Sequence, residues 1–313
     1  MSALDADECV RRRPSQPNGS AMQGAHRWLV AFALMVTLGS VSPLLVQADP
    51  AVTDLGKPVE LYGDPYFPLS GFHKVTFMPF RPRHPTLLVL ASQPSVSSAV
   101  ERWPLVKALG WFGTLTNVKS TTFASGIATF DRFHVATFDL SHARYRSRYL
   151  TLLYRDLLDV HSRVLHKMSK VEFQLYTKYV RPFTSSTQQQ DPYALIAASD
   201  PAASTERELP LLVFGRYIST GSQQMISGVF QGVPPPDTPG IMGAKEGAPY
   251  SFRQIQDALI RGKSLGPYTG PGLVQHVNGE ANILGALICH GDGGQPKSVC
   301  DRTSIRASER HIK

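Results

Sequence analysis

A short apolar run followed at once by a helical pattern constrains the fold of this chain more than any other feature. The run Thr86–Ala91 is opened by Pro85 and closed by a Ser-Gln-Pro sequence, which is typical of a buried central strand. After this loop, Ser97 or Ser98 is expected to cap a helix, which Pro104 should kink or restart. The apolar face of that helix comprises Val100, Trp103, Leu105, Ala108 and Leu109. Because α/β proteins place their chemistry at the carboxyl ends of strands, this loop is a candidate site.

The helix carries residues that resemble a motif of thioredoxin-like proteins. Glu101-Arg102-Trp103 is similar to the end of the sequence Cys-Pro-x-Cys-Ala-Ala-Glu-Arg-Trp, which marks an uncharacterised prokaryotic family, a domain of unknown function. When the chain is aligned on this tripeptide, Ser95 and Ser98 occupy the positions of the two motif cysteines. The resemblance implies an α/β fold with a thioredoxin-like core, in which a mixed sheet is flanked by helices.

The loop is Ser95-Val96-Ser97-Ser98, so it lacks the thiolate that disulfide exchange requires at a helix N-terminus. A serine hydroxyl stays protonated near neutral pH and forms no mixed disulfide. We interpret the serines as helix caps and loop hydrogen-bonding groups. A serine nucleophile would need a positioned base, and the chain has no G-x-S-x-G sequence and no histidine near this loop.

A second stretch, Leu209–Ile218, reads as a strand, a tight turn at Gly215-Arg216 and another strand. In thioredoxin-like proteins a cis proline opens this strand and faces the active-site loop. The resemblance therefore implies a cis peptide bond before Pro210. It also implies a groove between the serine loop and this proline.

The amino-terminal region contains an uncharged apolar run, Trp28–Leu38, which follows Arg27. Val46-Gln47-Ala48 fits a small-x-small cleavage site, so residues 1–48 are predicted to be a signal peptide. The alternative is an uncleaved membrane anchor, with membrane contact through residues 28–46. Either interpretation places the body of the chain outside the cytoplasm, secreted or anchored to the cell membrane.

Cys289 and Cys300 are an even pair in the exported part of the chain, and a glycine-rich loop separates them. In an oxidising compartment this pattern indicates a disulfide, and the segment resembles the carboxyl-terminal signature of the same family. We interpret the pair as a structural link, and a redox-active pair is the alternative. Metal binding would need more ligands than this segment provides, so no metal and no cofactor are expected.

The remaining patterns predict the other elements. Strands are expected at 58–62, 74–78, 120–123, 127–130, 133–138 and 145–149, with a hairpin between 127–130 and 133–138. Apolar residues at spacings of three and four predict helix over Leu152–Val180, as a helical insertion. The proline- and glycine-rich segment 232–250 is predicted to be an exposed loop.

Two helices are expected near the carboxyl terminus. Ser251 and Gln254 form a capping box for the first, in which Ile255, Leu259 and Ile260 should face inward before Gly262 ends it. Asn278 is expected to cap the last helix. The predicted organisation is residues 1–48 as signal or anchor, 49–85 as an extension, 86–300 as the thioredoxin-like domain, and 301–313 as a polar, mobile tail.

Composition narrows the function classes. The net charge is +8, but the basic residues are dispersed and no nucleic-acid-binding motif is present, so nucleic acid is not an expected partner. The first functional hypothesis is a non-catalytic, extracytoplasmic thioredoxin-like module that binds a polypeptide or a membrane protein. The alternative hypothesis is a thiol–disulfide oxidoreductase that uses Cys289 and Cys300.

Overall fold

The computed structural model of the chain describes residues 50–59, 72–76, 85–124, 134–180, 191, 193, 196, 209–220, 250–263, 265, 273–310 and 312. Within these residues, the strands are β1 Phe72–Lys74, β2 Thr86–Ala91, β3 Thr114–Thr116, β4 Lys119–Ala124, β5 His134–Asp139, β6 Arg144–Arg146, β7 Thr151–Asp156, β8 Leu211–Phe214 and β9 Tyr217–Thr220. The helices there are α1 Pro50–Thr53, α2 Val96–Phe112, α3 Lys170–Leu175, α4 Phe252–Arg261, α5 Leu273–Asp292, α6 Lys297–Cys300 and α7 Thr303–Glu309. The predicted signal or anchor at 1–48, the strand at 127–130 and the loop at 232–249 lie outside the described residues.

Strand β2 lies in the interior of the main sheet, and all six of its residues are buried. In the described part of the chain this sheet has five strands in the order β1-β9-β8-β2-β7. β7 is parallel to β2, whereas β8 is antiparallel to β2 and the remaining pairs are antiparallel. The buried apolar sequence of β2 matches this position between two neighbours. The chain is therefore a mixed α/β protein, as predicted.

Helix α2 begins at a different serine from the two that the sequence suggested. Ser95 is the N-cap residue, with extended backbone angles, and its Oγ accepts a hydrogen bond from the backbone N–H of Ser98 at 3.1 Å. The prediction that Ser97 or Ser98 caps the helix is wrong, because both lie inside its first turn. The helix continues through Pro104 without restarting, although a proline there leaves the carbonyl of Val100 without its helical N–H partner.

The prediction of helix over Leu152–Val180 is wrong for its first half. Residues Thr151–Asp156 form β7, which pairs with β2 residue by residue. Helix begins only at Lys170, where Ser169 provides a capping box, and a π-helical turn at Tyr176–Val180 follows α3. The apolar residues of β7 satisfy helical spacing by coincidence, and pairing with the buried strand β2 overrides that pattern.

Two small antiparallel pairs lie beside the main sheet. β5 pairs with β4, from Lys119 opposite Asp139 to Ala124 opposite His134, and the hairpin partner expected at 127–130 lies outside the described residues. β6 pairs with β3, and its exposed arginines alternate with half-buried Tyr145, as predicted. Two strands were expected near the amino terminus, at 58–62 and 74–78. Of the first range the structure describes only residues 58 and 59, and they are not in a strand. In place of the second, β1 begins at Phe72 rather than Lys74.

The stretch that begins at Leu209 folds as the sequence predicted. β8 and β9 form a hairpin around Gly215 and Arg216, and Gly215 has a φ of 58°, a left-handed conformation that suits glycine. The peptide bond between Leu209 and Pro210 is cis. The hairpin places β8, the middle strand of the sheet, directly against β2.

Helix α4 confirms its capping box, since Ser251 Oγ accepts from the N–H of Gln254 and the Gln254 side chain accepts from the N–H of Ser251. It ends at Gly262, again as predicted. Ile260, expected to face inward, is 50% exposed because it lies on the opposite side of the helix from the buried Ile255. Asn278 does not cap the last helix: it lies in the second turn of α5, which begins at Leu273.

Residues 303–309, in the segment expected to be a mobile polar tail, are helical and partly buried, which corrects that expectation for these residues. They form α7, which packs on α5, with Ile305 completely buried and Ile312 8% exposed. A Cβ at Gly285 of α5 would lie 2.9 Å from Ile305 Cδ1, so glycine permits this close approach. The predicted disulfide between Cys289 and Cys300 is present and joins α5 to α6. Two isoleucines thus anchor a segment that is otherwise polar.

The predicted amino-terminal extension also contacts the core. Leu55 is 2% exposed, and its carbonyl accepts a hydrogen bond from Lys107 Nζ. The indole N–H of Trp111 donates to the carbonyl of Gly56 at 2.9 Å. Burial lowers the pKa of Lys107 to about 8, and the carboxylate of Asp54 opposes this shift. The segment is therefore held against α2 by side chains of the helix.

Truncation of Ile305 should destabilise the protein if the carboxyl-terminal segment belongs to the core. For Ile305→Ala we expect the free energy of unfolding to fall by about 2–4 kcal/mol, because a fully buried side chain leaves a cavity. Ile260→Ala removes the same atoms from a half-exposed site and should cost less than about 1 kcal/mol. Urea unfolding of both variants measures the difference, and equal losses would contradict the packing of α7.

Candidate functional site

The serine loop at the carboxyl end of β2 lies beside the segment that precedes Pro210. Ser95 Oγ donates to the carbonyl oxygen of Leu209 at 3.4 Å while it caps α2. Ser98 Oγ accepts from the backbone N–H of Ser92 at 3.2 Å, and Ser98 is only 1% exposed. The two hydroxyls at the motif-cysteine positions are therefore both engaged in holding the loop.

The rest of the predicted groove is largely closed. Ser97 is 8% exposed, and Pro210 is buried at the start of the β8 strand. Val96 is the first residue of α2. The structure thus brings the serine loop and the segment at Pro210 together, but few of their side chains are exposed to a binding partner.

An exposed apolar hairpin adjoins the serine loop, and the sequence interpretation missed it. Leu158 and Val164 are bridged in antiparallel fashion, and the side chains of three nearby residues are exposed: Val160 by 63%, Val164 by 43% and Leu165 by 43%. The hairpin is tied to the loop after β2, because Gln93 N–H donates to Leu158 O and Val160 N–H donates to Gln93 Oε1, each at 3.1 Å. The pattern was misread as helix, so its position at the sheet edge was not predicted.

The three motif residues of α2 point in different directions and have structural contacts. Trp103 is fully buried, and its indole N–H donates to the carbonyl of Ala136 at 2.8 Å. Its ring meets Phe138 and Phe252 at centroid distances of 4.7 and 4.8 Å. Such aromatic clusters stabilise the folded state mainly by burial and edge-to-face packing. Trp103 therefore belongs to the core between α2, β5 and α4.

Arg102 forms a buried ion pair with Asp156, the last residue of β7. The N–O distance is 2.9 Å, and the two side chains are 4% and 0% exposed. Tyr154 completes the cluster, because its hydroxyl accepts from Arg102 Nε at 2.9 Å and donates to Asp156 Oδ1 at 3.0 Å. Burial raises the pKa of Tyr154, so its hydroxyl stays protonated as a donor. Asp156 and Tyr154 lie in the strand misread as helix, which hid them from the sequence interpretation.

Glu101 faces a second carboxyl group, Glu280 of α5. Glu101 is 2% exposed, and burial raises its pKa well above the usual value, with a further rise from the negative charge of Glu280. Burial also raises the pKa of Glu280. Glu280 is half-buried, and two facing acids of which one is buried favour a protonated state, because both cannot ionise cheaply in a low-dielectric site. Glu280 carries no sequence signal that would pair it with Glu101.

The disulfide is enclosed by the protein. Cys289 is 2% exposed and Cys300 is 5% exposed. Thiol–disulfide exchange requires a thiolate to reach one of the sulfurs, and the burial of both residues denies that approach in the folded state. The described residues contain no cluster of three or more metal-ligating side chains.

Comparison with known proteins adds no relative to these observations. No protein-family model, no curated protein and no solved structure matches the chain. Among the described residues, no helix combines the length and the apolar character needed to cross a membrane.

The Arg102–Asp156 pair should behave as a buried unit in a double-mutant cycle. Arg102→Met or Asp156→Leu alone leaves one buried charge unpaired and should cost about 3–5 kcal/mol of unfolding free energy. The double variant should lose less than either single one, because no unpaired charge remains. Urea unfolding supplies the free energies. Arg306→Met, which breaks the exposed pair with Asp301, is the control and should cost under about 1 kcal/mol.

The Glu101–Glu280 pair predicts that stability falls as pH rises. Both folded-state pKa values are raised, so above the ordinary glutamate value the folded state binds more protons than the unfolded state. The stabilisation is complete at acidic pH and is lost as pH approaches the raised values. Urea unfolding from about pH 5 to about pH 8 measures this slope.

The variant Glu101→Gln removes one titrating group of the pair and should flatten that slope. Asp257→Asn changes an exposed carboxyl of α4, which pairs with Arg261, and serves as the matched control, because it should leave the slope as in the parent protein. Identical slopes in the parent protein and Glu101→Gln would contradict the assignment of a buried acid pair.

Proposed function

We propose that the chain is a non-catalytic, extracytoplasmic thioredoxin-like module that binds an extended apolar segment of another polypeptide. The strand order supports the thioredoxin-like part of the proposal. β2 leads through a loop into α2, β7 returns parallel to β2, and the β8–β9 hairpin lies antiparallel on its other side. The hydrogen bond from Ser95 to Leu209 agrees with the facing of the two segments that the resemblance implies.

The positions of the hydroxyls support a non-catalytic role. Ser95 caps α2 and Ser98 is buried, so neither is free to act as a nucleophile. The one disulfide in the described residues, Cys289–Cys300, is enclosed, which favours a structural link over a redox function. Its presence also agrees with an oxidising compartment, as the apolar amino-terminal run suggests.

The observation that carries the binding proposal is the apolar hairpin. Val160, Val164 and Leu165 expose apolar side chains within six residues, directly beside the loop at the carboxyl end of β2. Contiguous exposed apolar surface marks interaction sites in soluble proteins. A polypeptide with apolar side chains would cover these residues and withdraw them from water.

Binding to an unfolded polypeptide tests this proposal. The full chain, exported and purified as produced, is titrated into a labelled, reduced and alkylated model protein while fluorescence anisotropy is recorded. The variant Val160→Asp/Val164→Asp should bind at least about tenfold more weakly, since charges replace central apolar contacts. Ile260→Asp places the same charge on an exposed apolar position of α4 and should bind as the parent protein does.

Two results would contradict the proposal. One is equal binding by the double variant and the parent protein at matched thermal stability. The other is catalytic turnover in reducing a model disulfide, which would instead favour an oxidoreductase that uses Cys289 and Cys300. Differential alkylation before and after mild reduction shows directly whether those two sulfurs react.

A further inference from the structure

The apolar hairpin has an inner arm, which contacts the loop after β2, and an outer arm with an unpaired backbone edge. The N–H of Leu165 donates to the carbonyl of Leu157 at 2.9 Å. The N–H of Asp159 donates to the carbonyl of Arg163 at 2.8 Å. Because backbone groups alternate in direction along a strand, the N–H and C=O of Val164 point away from the inner arm. Within the described residues, neither group has a hydrogen-bond partner.

The inner arm lacks such a free edge. The carbonyl of Leu158, which also points away from the hairpin, accepts a hydrogen bond from the N–H of Gln93 at 3.1 Å. A solvent-facing N–H and C=O on one strand form a template for pairing with another extended chain. The outer arm can therefore accept a third strand, whereas the inner arm is already joined to the protein.

The turn that joins the two arms is held in place by Asp159. Its Oδ1 accepts from the N–H of His161 and from the N–H of Arg163, each at 2.8 Å. Its Oδ2 lies 2.8 Å from Arg163 Nε. Since the turn is ordered before a partner arrives, pairing with the outer arm costs less conformational entropy than pairing with a flexible loop.

The acidic side chains near the hairpin are neutralised by arginines of the same chain. Arg163 is paired with Asp159 at 2.8 Å, and Arg155 lies 3.8 Å from a carboxylate oxygen of Glu172. The other oxygen of Glu172 accepts from the N–H of Ser169 at 2.6 Å, as part of the capping box of α3. Neither carboxylate remains to balance another cation.

Two exposed lysines, Lys167 and Lys170, follow the outer arm and have no ion pair in the described part of the chain. The Cα of Lys167 lies within about 7.6 Å of that of Leu165, because only two trans peptide units of about 3.8 Å separate them. Lys170 is the first residue of α3, where a positive charge opposes the helix dipole. The fold therefore gives these two charges no partner of their own.

We propose that the polypeptide bound by this chain adds to the outer arm as a third strand, paired through Val164, and carries acidic residues that face Lys167 and Lys170. This inference rests on the proposed function and specifies its partner. Successive side chains of the added strand cover Val164 on one face and Leu165 on the other. A lipid surface is a poorer occupant, because hydrocarbon leaves the N–H and C=O of the edge without partners.

Peptides that differ only in their end charges test the acidic preference. The full chain, purified as produced, is titrated into labelled peptides of alternating valine and serine that end in glutamates, glutamines or lysines, while fluorescence anisotropy is recorded. We expect the glutamate peptide to bind about fivefold more tightly than the glutamine peptide, and the lysine peptide to bind most weakly. The preference should shrink as salt rises. Equal binding of the glutamate and glutamine peptides would overturn the acidic specificity.

Paired lysine variants locate this preference. Lys167→Gln/Lys170→Gln should bind the glutamate peptide only as tightly as the glutamine peptide, and its affinity for the glutamine peptide should equal that of the parent protein. Lys263→Gln/Lys297→Gln removes the same charge from exposed positions in other parts of the structure and should keep the full preference. A preference that survives in the first variant, or that is lost in both, would contradict the assignment.

Methylation of the peptide backbone tests strand pairing. Two glutamate peptides carry N-methyl groups on alternate residues, one at the odd positions and the other at the even positions. Because a strand turns alternate N–H groups to opposite edges, the methyl groups face the outer arm in only one of them. That peptide should bind at least about tenfold more weakly, and the other should bind as the unmethylated peptide does. Loss in both peptides, or in neither, would contradict pairing through Val164.

Failure of this inference is distinguishable from failure of the proposed function. If the glutamate and glutamine peptides bind equally, and both lose binding to Val160→Asp/Val164→Asp, the acidic specificity is wrong and polypeptide binding stands. If that variant still binds the unfolded model protein as the parent protein does, the proposed function is wrong. Sedimentation with phosphatidylglycerol vesicles that depends on Lys167 and Lys170, without binding of any peptide, would assign the surface to a membrane and overturn the inference.

Discussion

The buried ion pair between Arg102 and Asp156 is the interaction that links the main helix to the edge of the sheet. Arg102 lies in the second turn of α2, and Asp156 ends β7, the edge strand beside β2. Both charges lose their water, so neither side chain can move away without leaving the other unpaired in the interior. The pair therefore fixes the position of α2 over β7.

Local signals explain which elements could be predicted from the sequence. The apolar strand at Thr86–Ala91, the turn at Gly215 and the capping box at Ser251 each depend on residues within a few positions of one another. The strand at Thr151–Asp156 does not depend on neighbouring residues in this way. Its apolar residues fit both helical and strand spacing, and only its pairing with β2, more than sixty residues away, decides between them.

The candidate site shows the same division between local and distant contacts. The resemblance led to Ser95 and Pro210, and the hydrogen bond from Ser95 to Leu209 spans 114 residues. Asp156 and Glu280 carried no such signal, because each becomes notable only through a partner on a distant element. The prediction of a mobile tail failed for a related reason: Ile305 and Ile312 are spaced among polar residues, yet both are buried, and burial of one such side chain stabilises the docked segment by about 1.5–3 kcal/mol.

The chemistry that the serine loop lacks determines where function can lie. At a helix N-terminus a thiol would be activated as a thiolate, but a hydroxyl there caps the helix and donates to a neighbouring carbonyl. That role uses the lone pairs and the proton that a nucleophile would need. The parallel strands β2 and β7 end at the same edge of the sheet, so the proposed polypeptide surface lies where α/β proteins bind ligands. The serines at this edge thus serve the fold, and the proposed binding surface does not depend on them.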